Sequence, residues 1–385
     1  MRVVHVTLRF DAPGGVETNV RELSRRLRGL GDDVQVFASD LYDEASWDRR
    51  SDYRPEVDGV PVRRFGIRRH LVPRLNLPMM VGLVDALADS GADVIHAHSH
   101  RYGHVLQAAA VAVRTGTPLV VSTSYHPADQ RESRRNRLLL RLDDHAFGMT
   151  AYRVARAVVV QSELERRLLA EFAPADRLRI VPPGVDLAEW SHPDDDRPDG
   201  IELPDEYTLY AGRIASNKGL PFLVEALARV PPAERRPLVL MGSDWGERPA
   251  LEALGARLGV ADRLRFLGHV EARSAYRAVF RRARSFVLPS EWEAYGFVLL
   301  EAMAARTPIV ASAVGAVPEV LGQGRFGALV PYGDTGALAR ALADVGRESP
   351  ESSERVRLGW EHVQTLDWER SARRFHELYL EVVGG

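Results

Sequence analysis

The sequence predicts an α/β protein built as two doubly wound domains, on three observations. Short apolar runs alternate with amphipathic helical stretches from end to end, which is the pattern of βαβ units on a mainly parallel sheet. The chain has 385 residues, and one hydrophobic core rarely grows past about 250–300 residues, so two cores are expected. The alternation breaks once, over 188–206, where AEWSHPDDDRPDGIELPDE is rich in Pro and Asp and carries no apolar period. The expected division is therefore 1–190, a linker at 191–206, and 207–367, with the C-terminal helix 368–385 packing back on the first domain.

The elements follow in order. Val3-Val4-His5-Val6-Thr7-Leu8 reads as a buried strand and is followed by a loop ending in Gly14-Gly15. Val16, Val20, Leu23, Leu27 and Leu30 then recur at helical spacing, and Gly31 closes that helix. Further strands are expected at Val34–Ala38, Asp93–Ala97, Pro118–Ser122 and Ala157–Val160. Ser162 with Glu165 three residues on is the signature of a capping box. After the linker the strand signal returns at Thr208–Ala211, Leu238–Met241, Leu264–Leu267, Phe286–Leu288 and Pro308–Ala311. Two such domains usually hold their ligand between them, at the carboxyl ends of the strands.

Composition excludes several classes. Cysteine is absent, so there is no disulfide, thiol nucleophile or Cys-ligated metal. A net charge of −2 gives no global pull toward nucleic acid. MRVVHVTLRF lacks the form of a secretory signal, and no apolar window is long enough to span a bilayer. A soluble, cytoplasmic protein is expected.

Lys218 is the sole lysine among 51 lysines and arginines. Where a chain this rich in arginine keeps a lysine, a compact ammonium is expected to do what a planar guanidinium cannot. Arg213 and Lys218 flank a turn carrying Gly212 and Gly219 after the strand Thr208–Ala211. Two cations at a strand-to-helix turn suit a phosphate or diphosphate, although an ordinary surface basic pair has the same spacing. Glu293 and Glu301 bracket Tyr295-Gly296-Phe297-Val298 after the strand Phe286–Leu288, with Glu301 expected to open a helix. Carboxylates beside turned-in backbone N–H groups suit a hydroxyl-rich ligand.

PSEWEAYGFVLLEAMAARTPIVAS, with AGRIASNKG upstream and GAVPE downstream, resembles the nucleotide-sugar-binding half of retaining glycosyltransferases of the GT-B fold, family 4. The first half agrees in order: Gly14-Gly15 then Val16-Glu17, DVIHAHS at 93–99, STSYHP at 122–127, VVVQSE and VPPGVD. The resemblance implies two Rossmann-like domains facing across a cleft. It also implies transfer of a hexose-type sugar from a UDP- or GDP-sugar to a hydroxyl of a glycan, lipid-linked or small-molecule acceptor. By that resemblance Glu301 binds the nucleotide ribose, Glu293 meets the sugar near its anomeric centre, and Arg213 and Lys218 neutralise the diphosphate. Gly14 and Gly15 let the first loop approach the donor, and Tyr295, Gly296, Phe297, Val298 and Glu319 border it. His126 faces donor and acceptor, and Glu17, His98 and Tyr125 are acceptor-side candidates.

No DxD-type motif stands in an equivalent place, so neither a metal nor any other cofactor is expected. The route expected is same-face attack, with the departing phosphate taking the acceptor's proton. Arg306, Ala316 and Pro183 depart from the family's pattern, where Gly, Gly and Asn are usual. Two other readings remain beside this one. A GT-B sugar-nucleotide epimerase shares the two-domain architecture but is disfavoured by the intact Arg213/Lys218 and Glu293/Glu301 pairs. Against a non-catalytic nucleotide-sugar-binding partner, those residues and His126 argue. Finally, two basic stretches, with Arg63, Arg64, Arg68 and Arg69 in one and Arg134 and Arg135 in the other, suggest contact with an anionic membrane, against the alternative of plain solvated faces.

Overall fold

The computed structural model describes residues 1–385 except 13, 44–46, 50, 53, 69–77, 128–133, 193–200, 346 and 348. It divides into two compact units, Met1–Gly184 with Trp368–Gly385, and Val185–Asp367.

The first unit is organised on an eight-stranded sheet. Its strands are β1 (Arg2–Thr7), β2 (Asp33–Ser39), β3 (Glu56–Val57), β4 (Val60–Phe65), β5 (Val94–His98), β6 (Leu119–Ser122), β7 (Ala157–Val160) and β8 (Leu178–Ile180). Their order is β8-β7-β6-β5-β1-β2-β4-β3, parallel throughout except the short hairpin of β3 with β4. Helices α1 (Gly15–Gly29), α2 (Gly103–Thr115), α3 (Arg134–Phe147) and α4 (Glu163–Leu169) connect them. β1 and β7 are buried almost along their whole length, as expected of parallel strands covered on both faces. Leu23 and Leu27 of α1 and Phe375, Leu378 and Tyr379 of the C-terminal helix Trp368–Gly384 close one face over Val3, Val94 and Val120. The opposite face packs Val4, Val6, Ile95 and Val121 under Val105 and Ala108 of α2.

The second unit carries β9 (Thr208–Ala211), β10 (Leu238–Met241), β11 (Leu264–Gly268), β12 (Ser285–Leu288), β13 (Ile309–Ser312) and β14 (Ala328–Val330). The order is β11-β10-β9-β12-β13-β14, all parallel. Counted within the unit this is 3-2-1-4-5-6, so the direction of winding reverses between β9 and β12. Helices α5 (Leu187–Trp190), α6 (Leu220–Arg229), α7 (Arg273–Arg282) and α8 (Phe297–Ala304) belong to this unit.

Three expectations change. The boundary falls at Gly184 rather than 190, because Glu189 in α5 bonds Arg273 twice at 2.8 Å and Arg277 at 2.7 Å, and Trp190 packs edge-on to Phe280. The stretch holding Arg63 and Arg64 is the strand β4, where Arg63 lies over the rings of Phe37 and Phe65 and Arg64 pairs with Asp11 at 2.8 Å. α8 begins at Phe297, so Glu301 lies within it and not at its opening. The acidic part of the expected linker, 193–200, lies outside the described residues.

Candidate active site

In a doubly wound sheet, ligands gather outside the carboxyl ends of the strands where winding reverses. In the second unit that point is flanked by the loop after β9, 212–219, and the loop after β12, 289–296. Gly219 has φ +64, and a side chain there would put its Cβ 2.0 Å from the carbonyl oxygen of Pro289. Only glycine allows the two loops to approach this closely. Glu291 N–H donates to the carbonyl of Asn217 at 3.1 Å, which ties them together.

Across this junction Lys218 Nζ lies 2.7 Å from Glu293 Oε1, with both side chains 14% exposed. Ser290 Oγ donates to the same carboxylate oxygen at 2.7 Å. The backbone of Glu293 is fixed from the other side: its carbonyl accepts from Ala316 N–H at 3.0 Å. Gly315 abuts it at φ +51, where a Cβ would stand 2.0 Å from that oxygen. Arg213 is exposed, and its guanidinium lies 4.3 Å from the centre of the Trp245 ring. Tyr210 O–H donates to the Arg213 carbonyl at 2.7 Å.

Gly296, at φ +84, caps α8 and aims the first N–H groups of that helix outward, those of Phe297 and Val298 among them. Glu301 is five residues into the helix; Tyr276 O–H donates to its Oε2 at 2.7 Å, and Arg273 stands 4.0 Å from its Oε1. Burial pushes the Glu301 carboxyl above its usual range, against the downward pull of Arg273 and Tyr276. Tyr295 is buried, and its hydroxyl is pushed up by burial and by the negative charge of Glu319, which is exposed. The structure thus brings Lys218, Glu293, Tyr295 and Gly296 onto two neighbouring strand-to-helix turns, with Glu301 in the helix that follows the second. Sequence reasoning missed the residues that hold the two carboxylates, Ser290, Tyr276 and Arg273, and the Trp245 ring against Arg213. The elements bearing Tyr276 and Trp245 carry no motif that singles them out.

In the first unit winding reverses between β1 and β5. Gly14 caps α1 and Gly15 opens it, exposed. Glu17 is buried and paired with Arg9 at 2.5 Å. His98 ends β5 and, with Val16, Asn19, Ser122 and Gln161, lines a small pocket at the carboxyl ends of the strands. Gln161 Oε1 is buried there without a hydrogen-bond partner. His98 Nε2 sits 2.9 Å from His5 Nδ1, and His96 bonds Tyr379 at 2.6 Å and Ser122 at 2.7 Å. These three histidines bring ring nitrogens within 4.8 Å of one another, the arrangement among the described residues best suited to a metal ion. Burial lowers the pKa of all three, that of His5 to about 3, so they are neutral imidazoles.

His126 is exposed, with Nδ1 3.2 Å from the Pro127 carbonyl. If Nδ1 donates there, Nε2 is left as an acceptor. Tyr125 turns inward, its hydroxyl donating to Asp144 at 3.0 Å, because Thr123, Tyr125 and Gln161 are gathered by one buried carboxylate, Glu165. Glu165 therefore closes only half of the expected capping box. Ser162 Oγ accepts its N–H at 3.1 Å, while its side chain serves the strand ends instead.

Comparisons with known proteins agree with this architecture. Residues 13–189 match the family model described as Glycosyltransferase Family 4, and residues 205–347 match Glycosyl transferases group 1. The D-inositol 3-phosphate glycosyltransferase of Salinispora tropica is 30% identical, over 96% of this chain and 81% of its own length. Its counterpart from Streptomyces avermitilis is 29% identical, over 95% and 82%. The structure of Anabaena HepE in complex with UDP-glucose superposes with a TM-score of 0.78 at 19% identity, covering 99% of this chain and 100% of that one. With a Family 4 half, a group 1 half and two Rossmann-like units, the chain belongs to the glycosyltransferases of the GT-B fold.

Proposed function

We propose that the protein is a retaining glycosyltransferase that moves a hexose-type sugar from a UDP- or GDP-sugar to a hydroxyl of a glycan, lipid-linked or small-molecule acceptor, without a metal. The observation that carries this reading is the junction at the winding reversal of the second unit. It sets a cation, a carboxylate and a helix N-terminus on two adjoining turns. Lys218 and Arg213 take the diphosphate, Glu301 the ribose hydroxyls, and Glu293 the sugar hydroxyls. Gly296, Phe297 and Val298 offer backbone N–H groups, with Tyr295 and Glu319 at the border. In the first unit Gly14 and Gly15 approach the donor, His126 meets sugar and acceptor, and Glu17 and His98 stand on the acceptor side. The relatives named for D-inositol 3-phosphate and the neighbour bound to UDP-glucose support a nucleotide-sugar donor and a small hydroxylated acceptor.

The chemistry follows from charge. The anomeric C–O bond to the β-phosphate breaks as the sugar gains oxocarbenium character. Lys218 and Arg213 stabilise the departing dianion, which is electrostatic catalysis. The acceptor oxygen bonds the same face of the anomeric carbon, and its proton passes to the leaving phosphate oxygen. Proton NMR of the first product formed from an α-linked donor, with EDTA present, should show the α-anomer at undiminished rate. A β product, or loss of activity with EDTA restored by Mg²⁺, contradicts the reading.

A peripheral membrane contact has its own support. Leu138, Leu139, Leu142 and Met149 on and just after α3 are 52–60% exposed, beside Arg137 and exposed Arg141, with Arg134 and Arg135 one turn earlier in sequence. We infer that this basic, apolar face rests on an anionic bilayer. Of the other basic stretch, Arg68 is exposed, Arg64 is engaged by Asp11, and Arg69 lies outside the described residues. Vesicles containing phosphatidylglycerol should co-sediment the protein and lose it when Leu138 and Leu142 become Asp. Equal binding to pure phosphatidylcholine, or none to either, contradicts it.

A further inference from the structure

We propose that Asp144 is a positioning residue that sets His126 through Arg101, an inference that rests on His126 being the catalytic histidine of the reading above. Asp144 lies in α3 with its side chain only 1% exposed, and it accepts three donors. His100 Nε2 stands at 2.8 Å and Arg101 Nε at 3.1 Å from Oδ1, and the Tyr125 hydroxyl at 3.0 Å from Oδ2. Arg101 then reaches outward, its Nη2 donating to the backbone carbonyl of His126 at 2.8 Å. Tyr125, the residue before His126, is pinned by its hydroxyl to Asp144 and by its N–H to Glu165 at 2.8 Å. One sealed carboxylate therefore holds His126 from two directions.

The loop it anchors needs an anchor. Ser99 has φ 90 and Arg101 has φ 57, both in the left-handed region that residues other than glycine rarely occupy. Such backbone persists only where its surroundings over-determine it. His100 lies between them, bonded on one side to Asp144 and on the other to the Tyr152 hydroxyl. Burial lowers the His100 pKa, so it is a neutral ring that donates Nε2–H to the carboxylate and accepts from Tyr152 at Nδ1. A charged acceptor at Asp144 is what allows His100, Arg101 and Tyr125 to donate at once. An amide has one oxygen acceptor, and its nitrogen must donate, so the network loses a bond.

The test is a kinetic cycle on Asp144→Asn, Arg101→Ala and His126→Ala, singly and with each of the first two combined with the third. Nucleotide release is followed from UDP-glucose or GDP-mannose, whichever the wild type turns over. Asp144→Asn and Arg101→Ala should lower kcat by about 10–100-fold, the cost of a misplaced catalytic group. The donor KM should stay unchanged, because the side chains assigned to the ribose and diphosphate, Glu301, Arg213 and Lys218, lie in the second unit. In the His126→Ala background neither should add more than about twofold, because residues acting in one chain are not additive. Melting temperature controls for folding; if Asp144→Asn does not fold, Arg101→Ala, at a side chain 20% exposed, decides alone. Independent losses in the His126→Ala background, or unchanged kcat in the foldable variants, overturn the inference and leave His126 standing. Wild-type turnover in His126→Ala overturns both the inference and the role given to that histidine.

Discussion

Lys218 holds one oxygen of Glu293, and that oxygen also takes the Ser290 hydroxyl. The space is narrow, because Gly219 lies against the Pro289 carbonyl. A guanidinium there is wider than an ammonium and seeks two acceptors in its own plane. Lys218→Arg should therefore lose roughly 100-fold in turnover although charge is kept, comparable to removing one oxyanion donor. Lys218→Ala should lose at least as much and also lower the melting temperature, since it strands a partly buried Glu293. Steady-state kinetics and a melting curve for each variant decide this, and an arginine variant with near wild-type turnover would show that charge alone is required. A second residue explains a departure from the family's pattern. Arg306 occupies a glycine's position and keeps a glycine's backbone, φ 57, while its guanidinium lies 4.4 Å from the centre of the Trp360 ring. Strain of about 1–2 kcal/mol is offset only in part by a cation–π contact worth about 0.5–1 kcal/mol.

At the scale of elements, β1 and β5 set His5 opposite His96 in parallel register, with His98 two residues on and so on the same face. The C-terminal helix covers that face and supplies Tyr379 to His96. These imidazoles, with His104, whose pKa burial lowers to about 4, are neutral in the folded chain. The unfolded chain takes up a proton at each near pH 6.5, whereas the folded chain resists until far lower pH. Their contribution is thus complete above pH 6.5 and is lost as pH falls toward the depressed values, at about 1.4 kcal/mol per pH unit for each histidine. Urea unfolding at pH 7.5, 6.5, 5.8 and 5.2 should show a plateau and then a fall steeper than one proton. A flat profile over that range would contradict the buried, neutral cluster. The strands that build this arrangement were legible because short, continuous apolar runs are local signals. β4 was not, since Arg63 and Arg64 interrupt its alternation and only the rings of Phe37 and Phe65 explain Arg63. The start of α8 was hidden too: Phe297, Val298, Leu299 and Leu300 form an unbroken apolar run without helical period.

For the whole molecule, strand order does what no single motif does. The order β11-β10-β9-β12-β13-β14 makes neighbours of two turns far apart in sequence, 212–219 and 289–296. Lys218 and Glu293 meet although 75 positions separate them. The sequence pointed to both turns of this junction because each carries its own glycines, Gly212 and Gly219 in one and Gly296 in the other. Their partners Tyr276 and Arg273, contributed by α7, became visible only once the sheet order was known. No helix among the described residues is long and apolar enough to cross a membrane. The central claim is that this junction binds a nucleoside diphosphate and orders its sugar. Calorimetric titration of UDP and GDP into wild type, Glu301→Ala and Glu293→Ala tests it most directly. One nucleotide should bind the wild type. Glu301→Ala should weaken that binding by about 1.5–3 kcal/mol, the loss of a charged hydrogen bond, and Glu293→Ala should leave it nearly unchanged while turnover collapses. Equal weakening by both substitutions, or no binding of either nucleotide to the wild type, would contradict the account.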